Sequence, residues 1–342
     1  MVNNLFSTEV YVHRTKAWLS RAFILCLLKA SSAEDPLSDL DSLRYNEVQF
    51  KGAHNSIDRD ESISAQLDWD SKEPHQGGCR GIELDIVQDP KYTGRDETWV
   101  FGVQHGGPYT PATPGLVKCL REVRSWSESH PRHHVVTIHI DLKEEATLGE
   151  DKIFVQQIDE IFAGSLGKDR IFRPSELKRD APSLLAGVEK YGWPELKELR
   201  GRCILVFSGS DGEEAVQRRR RAYYTTDPRE RFAFVDLDQR AAGAHGADEC
   251  DIKAPYYNEG SRVFVNIELG RKDWTRLGRE AHQRGFVTRE WKANDEASWR
   301  AAREAGINIL TTDRIRNYPW ASVGARPFAP LVVRKSLKVS ED

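Results

Sequence analysis

Short apolar runs along the chain alternate with stretches in which apolar positions repeat every three to four residues. Apolar runs bounded by glycine, proline or charged residues are typical of buried strands. Apolar positions that repeat every three to four residues are typical of amphipathic helices. The predicted strands are Glu47–Gly52, Gly81–Val87, Trp99–Gln104, His134–Leu142, Cys203–Ser208, Phe232–Leu237, Val263–Leu269, Phe286–Trp291 and Ile307–Thr312. The predicted helices are Gly115–Ser127, Asp151–Phe162, Pro194–Leu199, Asp273–Gln283 and Asp295–Glu304. This alternation indicates an α/β fold with parallel strands.

Two architectures use such units, an open doubly wound sheet and a closed barrel of eight strands. No GxGxxG sequence opens a helix after the first strand, which argues against a dinucleotide-binding sheet. Nine strands are predicted, so at least one is peripheral or wrong if the fold is a barrel. A length of 342 residues suits one large domain, which we expect at residues 40–325, followed by a tail at residues 326–342.

The N-terminal 35 residues have the order of a secretory signal. Arg14, Lys16 and Arg21 precede the apolar run Ala22–Leu28, and the small residues Ala30–Ala33 follow it. The apolar run is far too short to span a bilayer. We interpret residues 1–35 as a leader or signal-like segment and expect a secreted or cell-envelope protein. The alternative is a frayed extension of a cytoplasmic protein.

Composition excludes some classes of function. The net charge of −3 argues against a dedicated nucleic-acid binder, and we expect a monomer without nucleic acid. Five cysteines without a CxxC pair give neither a zinc-binding spacing nor a disulfide framework. The basic run Arg218–Arg221 lies in a stretch predicted to be irregular, Gly209–Arg231. We interpret it as a solvated loop, with contact to an anionic lipid surface as the alternative.

Polar side chains gather where four successive predicted strands end. They are His54 and Asn55 after the first strand, Glu83 and Asp85 on the second, His105 after the third, and Asp141 and Lys143 at the end of the fourth. The two-residue period of a strand puts Glu83 and Asp85 on one face, and it puts Asp141 and Lys143 on one face. Because the active sites of α/β barrels lie at the C-terminal ends of their strands, we expect these side chains to converge on one pocket.

Two acids on the inward face of a buried strand are costly without a positive partner. A metal ion could supply that charge, because the carboxylates of Glu83, Asp85 and Asp141 and the amide oxygen of Asn55 are hard ligands of the kind that calcium or magnesium requires. Zinc would prefer histidine and cysteine.

Two histidines beside such an ion could divide the proton transfers of a reaction at a phosphoryl group. His54 or His105 would remove a proton from the attacking hydroxyl, and the other would protonate the leaving oxygen. Lys143 could hold the phosphate. Taken alone, either histidine is more often a structural residue held by hydrogen bonds, and Glu83 and Asp85 could form a salt-bridged edge. The further histidines His130, His133 and His134 precede the fourth strand, at the wrong end of a barrel for catalysis, and we interpret them as surface residues.

Three segments resemble the catalytic half of calcium-dependent, phosphoinositide-specific phospholipases C. They are Gly52–Ser56, the Gly-Cys-Arg run that leads to Glu-x-Asp at Gly78–Asp85, and Gln104–Gly106. The resemblance implies a TIM-type (β/α)8 barrel that cleaves a phospholipid such as phosphatidylinositol with Ca²⁺. Carried over by position, it implies His54 and His105 as catalytic residues. The implied metal ligands are Asn55, Glu83, Asp85 and Asp141.

Other functions stay open. The sequence Asp141-Leu142-Lys143 fits the pattern of sphingomyelinase D equally well, and Gly285–Trp291 with Asn308–Asp313 is similar to the wider superfamily that includes glycerophosphodiester phosphodiesterases. The alternatives are therefore a sphingomyelinase D-like or phospholipase D-like enzyme, or a glycerophosphodiesterase, using Mg²⁺. A third alternative is a barrel that binds a ligand without catalysis. The presence of both His54 and His105 argues against it. The expected partner is a phospholipid or another phosphodiester, with transient contact to a membrane surface.

Overall fold

The structure is a computed structural model that describes residues 41–91, 100–107, 109–143, 146–147, 149–209, 213–238, 260–270, 274–324 and 326–331. The predicted leader, residues 1–35, lies outside the described residues, as do residues 332–342 of the predicted tail. Within the described ranges, no helix has both the length and the apolar character needed to cross a membrane.

Strands and helices alternate through most of the described chain. The strands are β1 (Val48–Ala53), β2 (Gly81–Gln88), β3 (Phe101–Val103), β4 (Val136–Leu142), β5 (Cys203–Gly209), β6 (Ala233–Asp238), β7 (Phe264–Glu268), β8 (Val287–Trp291), β9 (Ile309–Thr312) and β10 (Phe328–Pro330). The α-helices are α1 (Ile63–Leu67), α2 (Leu116–Ser129), α3 (Asp151–Leu166), α4 (Pro174–Lys178), α5 (Leu184–Tyr191), α6 (Glu214–Tyr224), α7 (Trp274–Gln283) and α8 (Glu296–Glu304).

Eight parallel strands close into a barrel in the order β1, β2, β4, β5, β6, β7, β8, β9, with β9 pairing back to β1. The contact between β1 and β2 is a single pair, Gly52 opposite Gly81. A Cβ on Gly81 would lie 2.7 Å from Cγ2 of Ile309, and one on Gly52 would lie 2.8 Å from Cγ2 of Thr311. Two glycines thus permit the close approach that shuts the barrel. The predicted α/β fold, a TIM-type (β/α)8 barrel, is confirmed.

Two strands lie outside the barrel. The first, β3, was predicted among the parallel strands but pairs antiparallel with the far end of β2, with Val103 opposite Ile86. That prediction of direction was wrong, because a three-residue strand carries no signal of its orientation. The second, β10, pairs antiparallel with β1 and was not predicted. Because β3 runs back along β2, it returns the chain to the C-terminal end of the barrel.

Aromatic side chains fill the other end of the barrel interior. The ring of Trp193 lies 5.3 Å from Tyr45 and 5.4 Å from Phe264, between centroids, and Phe264 lies 5.2 Å from Phe234. The Tyr45 hydroxyl shares a hydrogen bond of 2.6 Å with Oγ1 of Thr137 on β4. Packed rings leave no room for buried charge at this end. The charged residues of the interior therefore gather at the opposite, C-terminal end.

The stretch predicted to be irregular contains the helix α6, and the prediction of a solvated basic loop was wrong. Arg219 and Arg220 are fully buried, whereas their neighbours Arg218 and Arg221 are exposed. Nε of Arg219 donates to Asp151 at 2.6 Å. Arg220 donates to the carboxylate of Asp236 at 2.5 Å and to the carbonyl oxygen of Gly209 at 3.0 Å. Half of the basic run therefore ties α6 to α3 and to the ends of β5 and β6.

Two of the three histidines before β4 are not surface residues. His133 is buried and shares a hydrogen bond of 2.8 Å with Oγ of Ser127, and His134 is buried against the ring of Phe328. Burial lowers the pKa of His133 to about 4, so it is neutral at pH 7. Only His130 of the three is exposed, as expected. Imidazoles packed among aromatic rings support the fold.

Most of the predicted helices are present, and the short ones were missed. Pro194–Leu199 was predicted as a helix, but the structure has only a 3₁₀ turn at Leu196–Leu199. The helices α1, α4 and α5 were not predicted. Each has five to eight residues, too few turns for an apolar repeat to stand out.

The buried pair of Arg220 and Asp236 gives a prediction about stability. Replacing Arg220 with methionine removes the guanidinium from a buried carboxylate, which should cost about 3–5 kcal/mol of unfolding free energy. The exposed neighbour is the matched control, and Arg221→Met should change stability by less than about 0.5 kcal/mol. Urea denaturation of the two variants measures both values. Equal losses in the two variants would contradict the structural role of Arg220.

Candidate active site

A cavity opens at the C-terminal end of the barrel strands. Its lining includes all seven residues selected from the sequence, which are His54, Asn55, Glu83, Asp85, His105, Asp141 and Lys143. It also includes residues that the sequence analysis did not select, chiefly Asn266, Arg289 and Trp291. The expected convergence at the mouth of the barrel is therefore present in the structure.

His54 follows β1 directly and is held from both sides. Its backbone N–H donates to the carbonyl oxygen of Thr312, and its Nδ1 lies 2.9 Å from Oδ1 of Asp313. Its Nε2 faces the cavity, 3.9 Å from Oε2 of Glu83. The side chain is only 6% exposed. The ring is therefore fixed, with one nitrogen bound by a carboxylate and the other directed at the acids of the cavity.

Asp313, the residue after β9, is surrounded by positive and hydrogen-bonding groups. A guanidinium nitrogen of Arg59 lies 3.0 Å from its carboxylate, Nζ of Lys292 lies 3.3 Å away, and Nδ2 of Asn294 donates at 2.5 Å. Although burial would raise its pKa, the hydrogen bonds of His54 and Asn294 and the charges nearby hold that pKa well below its ordinary value. Asp313 was not predicted as a site residue, although an acid just after a predicted barrel strand is a signal of such a role.

His105 faces His54 from the rim. It lies on the exposed loop after β3, and the backbone N–H of the preceding Gln104 donates to the carbonyl oxygen of Asp85. The two imidazole centroids are 6.5 Å apart, and the indole of Trp291 stacks nearly parallel to His54 at 6.4 Å. Both imidazoles can thus reach one phosphoryl group through hydrogen bonds of about 2.6–3.2 Å.

Three carboxylates form the floor of the cavity, and we call Glu83, Asp85 and Asp141 the acidic trio. The register of β2 and β4 places Asp85 directly opposite Asp141, and one oxygen from each of the three lies within 4.8 Å of the others. Burial and the charges of Glu83 and Asp141 raise the pKa of Asp85 to about 8, against the opposing charge of Lys143. The third carboxylate of the trio is therefore hard to ionise without a further positive charge.

Two cations lie against the acidic trio. Arg289 on β8 is buried, with one nitrogen 2.7 Å from Oε1 of Glu83 and another donating to Asn266. Burial alone would raise the pKa of Glu83, but the charge of Arg289 and the N–H of Asn55 lower it to about 2. Nζ of Lys143 lies 2.6 Å from both Asp85 and Asp141. Arg289 was also missed, although its inward position on a predicted strand called for a carboxylate partner.

The surroundings of the Asn55 side chain indicate whether the site suits a metal ion. Its backbone is left-handed, with a φ of 46°, and its N–H donates to Oε2 of Glu83 at 3.0 Å. Its side-chain oxygen is buried and has no hydrogen-bond partner among the described residues. A buried acceptor without a donor is costly. An amide oxygen of this kind beside three carboxylates fits a hard divalent cation such as Ca²⁺ or Mg²⁺.

Comparison with known proteins gives one family match and one curated relative. The family described as phosphoinositide phospholipase C, Ca²⁺-dependent, matches residues 107–270. A protein of Arthroderma benhamiae, "PI-PLC X domain-containing protein 1", is 28% identical over 181 residues, which cover 50% of this chain and 48% of that protein. The match thus spans about half the length of the relative.

Solved structures share the fold. A calcium-dependent phosphoinositol-specific phospholipase C from a Pseudomonas species is 19% identical, with a TM-score of 0.63 over 86% of this chain and 97% of that chain. A Ca²⁺-dependent phosphatidylinositol-specific phospholipase C from Streptomyces antibioticus is 16% identical, with a TM-score of 0.56 over 84% and 98%. The family match and the curated relative confirm the resemblance to the phospholipase C-like family that the motifs predicted, and the solved structures confirm the fold.

The pair of Glu83 and Arg289 predicts a pH-dependent loss of stability. A carboxyl whose pKa is lowered on folding stabilises the native state above its unfolded pKa, and that stabilisation is lost as pH falls through the folded pKa. In chelator at pH 7, Glu83→Gln should cost about 3–5 kcal/mol, because it leaves the buried Arg289 without its counter-charge. The difference in unfolding free energy between the wild type and this variant should shrink as pH falls from about 4.5 towards about 2. Denaturant titrations at stepped pH measure it, and a difference that stays constant below pH 5 would refute the ion pair.

Proposed function

We propose that this chain is a phospholipase C-type phosphodiesterase that cleaves phosphatidylinositol with two histidines and one bound Ca²⁺ ion. The observation that carries the proposal is the pair of imidazoles, His54 and His105, 6.5 Å apart over a floor of three carboxylates. The substrate and the ion are those of the two bacterial enzymes with the same fold, which are calcium-dependent phospholipases C specific for phosphoinositol or phosphatidylinositol.

His54 acts as the general base in this proposal. Its Nδ1 is bound by Asp313, so its Nε2, which faces the cavity, keeps the lone pair. The nucleophile is a hydroxyl of the substrate next to its phosphate. As that oxygen forms a bond to phosphorus, Nε2 of His54 takes its proton. Asp313 holds the ring in place and stabilises the imidazolium that forms, in the manner of a carboxylate behind a catalytic histidine.

His105 acts as the general acid. The bond between phosphorus and the oxygen of the lipid alcohol breaks, and the protonated imidazole of His105 gives its proton to that oxygen. The position of His105 at the exposed rim suits this role, since the lipid part of the substrate lies on the solvent side of the cavity. One proton is taken and one is given, and the products are a cyclic phosphate and a free alcohol.

Asn55, Glu83, Asp85 and Asp141 would hold the metal ion. A bound divalent cation stabilises the charge that develops on the phosphoryl oxygens and eases deprotonation of the hydroxyl. Arg289 keeps Glu83 ionised and in place, and Lys143 binds the phosphate. Four protein oxygens, one of them neutral, suit Ca²⁺, which takes six to eight oxygen ligands, better than the smaller Mg²⁺. Export, a monomeric state and transient membrane contact belong to the same proposal and rest on the sequence alone.

Replacing the two histidines should separate catalysis from folding. General acid–base groups contribute on the order of 10²–10⁴-fold in rate. His54→Ala and His105→Ala should each lower kcat by that order with little change in KM, and the double variant should be little worse than the worse single one. The exposed His130→Ala serves as the control and should keep normal turnover. Turnover measured together with melting temperature gives the answer, and near-normal kcat in either single variant would defeat the mechanism.

Metal dependence should distinguish the proposed function from its nearest alternative. Excess chelator should abolish cleavage of phosphatidylinositol, and Ca²⁺ should restore it, because the uncompensated acidic trio requires a cation. Phosphorus NMR of the products identifies the cyclic phosphate. Better recovery with Mg²⁺ would favour the sphingomyelinase D-like alternative, and full activity in chelator would rule out metal-assisted cleavage.

A further inference from the structure

Lys143 occupies the space in which a metal ion would contact the acidic trio. We infer that its ammonium is the resident counter-ion of Asp85 and Asp141, that Ca²⁺ binds by displacing it, and that the displaced ammonium then completes a binding site for a phosphate anion. Metal and anion would therefore bind cooperatively. This inference rests on the proposed function and adds the order in which its parts assemble.

The geometry shows that the two cations compete for the same oxygens. Nζ of Lys143 lies 2.6 Å from Oδ1 of Asp85 and 2.6 Å from Oδ2 of Asp141. A Ca²⁺ ion needs carboxylate oxygens at about 2.3–2.6 Å, and it would take them from these same two residues. Two positive ions that share two carboxylates repel each other strongly in a partly buried cavity. The ammonium must therefore move when the ion enters.

The other charges near the trio cannot replace Lys143. In the described ranges, Lys143 is the only lysine or arginine with a nitrogen within 4.0 Å of either Asp85 or Asp141. Arg289 is engaged with Glu83 and Asn266 on the opposite side of the floor. Without a metal ion, the ammonium of Lys143 therefore offsets the repulsion between two facing carboxylates.

The displaced ammonium has a short range of movement. Lys143 directly follows the last residue of β4, and its backbone N–H donates to the carbonyl oxygen of Ile86 at 3.3 Å. Its side chain is 24% exposed, so its free end can turn from the floor towards the open part of the cavity. There it adds a positive charge beside the metal ion, where an anion can contact both. The metal should tighten anion binding, and by linkage the anion should tighten metal binding by the same factor.

Calorimetric titration of Ca²⁺ into the wild type, Lys143→Met and the exposed control Lys152→Met tests the competition. Methionine keeps much of the length of lysine and removes its charge. Lys143→Met should bind Ca²⁺ about 10-fold or more tightly than the wild type, within the usual range of coupling between two sites. Lys152→Met should match the wild type. Measurable binding in Lys143→Met alone would also support the inference.

The second titration tests the coupling, with diethyl phosphate as the anion because it has no neighbouring hydroxyl and is not cleaved by the proposed reaction. Saturating Ca²⁺ should tighten its binding to the wild type about 10-fold, and this gain should be largely lost in Lys143→Met. Melting temperature guards against misfolding. The variant should melt lower than the wild type in chelator and gain more than the wild type on addition of Ca²⁺.

The outcomes separate this inference from the proposed function. Suppose that the wild type binds Ca²⁺ and that Lys143→Met binds it no more tightly. The inferred competition between Lys143 and Ca²⁺ is then overturned, and the calcium-dependent function stands. If Ca²⁺ raises the affinity for diethyl phosphate equally in both proteins, the role of the displaced ammonium is overturned. If no variant binds Ca²⁺, the inference and the proposed cofactor fail together.

Discussion

Repulsion among three carboxylates, two of them buried and the third half-buried, is the constraint on which the rest of the site depends. Glu83, Asp85 and Asp141 place oxygens within 4.8 Å of one another at the end of a closed barrel, where the dielectric is low and an unpaired charge is costly. The protein offsets part of this charge with Arg289 on one side and Lys143 on the other. Burial and the charges of Glu83 and Asp141 still raise the pKa of Asp85 against the opposing charge of Lys143. A site left short of positive charge in this way is suited to a cation from solution.

The barrel itself puts the acids in this position. Eight parallel strands end at the same rim. Direct pairing of β1 with β9 places the residues that follow these two strands side by side, and the glycine pair between β1 and β2 closes the ring. Packed aromatic rings occupy the opposite end of the interior. Polar side chains of the inward face are thereby confined to the C-terminal mouth. The register of β1 and β9 thus places His54 against Asp313, and the closure of β1 on β2 brings Asn55 to Glu83.

Site residues whose positions follow from the two-residue period of a strand could be predicted from the sequence. Site residues whose roles depend on a partner far away in the sequence could not. The parity of β2 and β4 was enough to place Glu83, Asp85 and Asp141 on one inward surface. Arg289 lies more than 200 residues after its partner Glu83, and Asp313 lies more than 200 residues after its partner His54. Glu83 becomes a neighbour of Arg289, and His54 a neighbour of Asp313, only when β8 and β9 take their places in the closed barrel. For the same reason, Arg219 and Arg220 were read as solvated, because nothing local shows that a charge faces Asp151 or Asp236.

The two histidines differ in burial and anchoring, and that difference fits the division of labour in the proposed reaction. A general base must hold a fixed position relative to the substrate hydroxyl, whose phosphate is bound on the rigid floor of the cavity. His54 meets this need, because it is 6% exposed and is held by the carboxylate of Asp313, which three other groups fix in turn. A general acid must instead reach the oxygen of a departing lipid at the rim. His105 stands on an exposed loop, where the backbone N–H of the preceding Gln104 donates to the carbonyl oxygen of Asp85. If His54 were the acid and His105 the base, the departing lipid alcohol would lie beside the fixed imidazole of His54. The difference in burial and anchoring therefore favours His54 as the base and His105 as the acid.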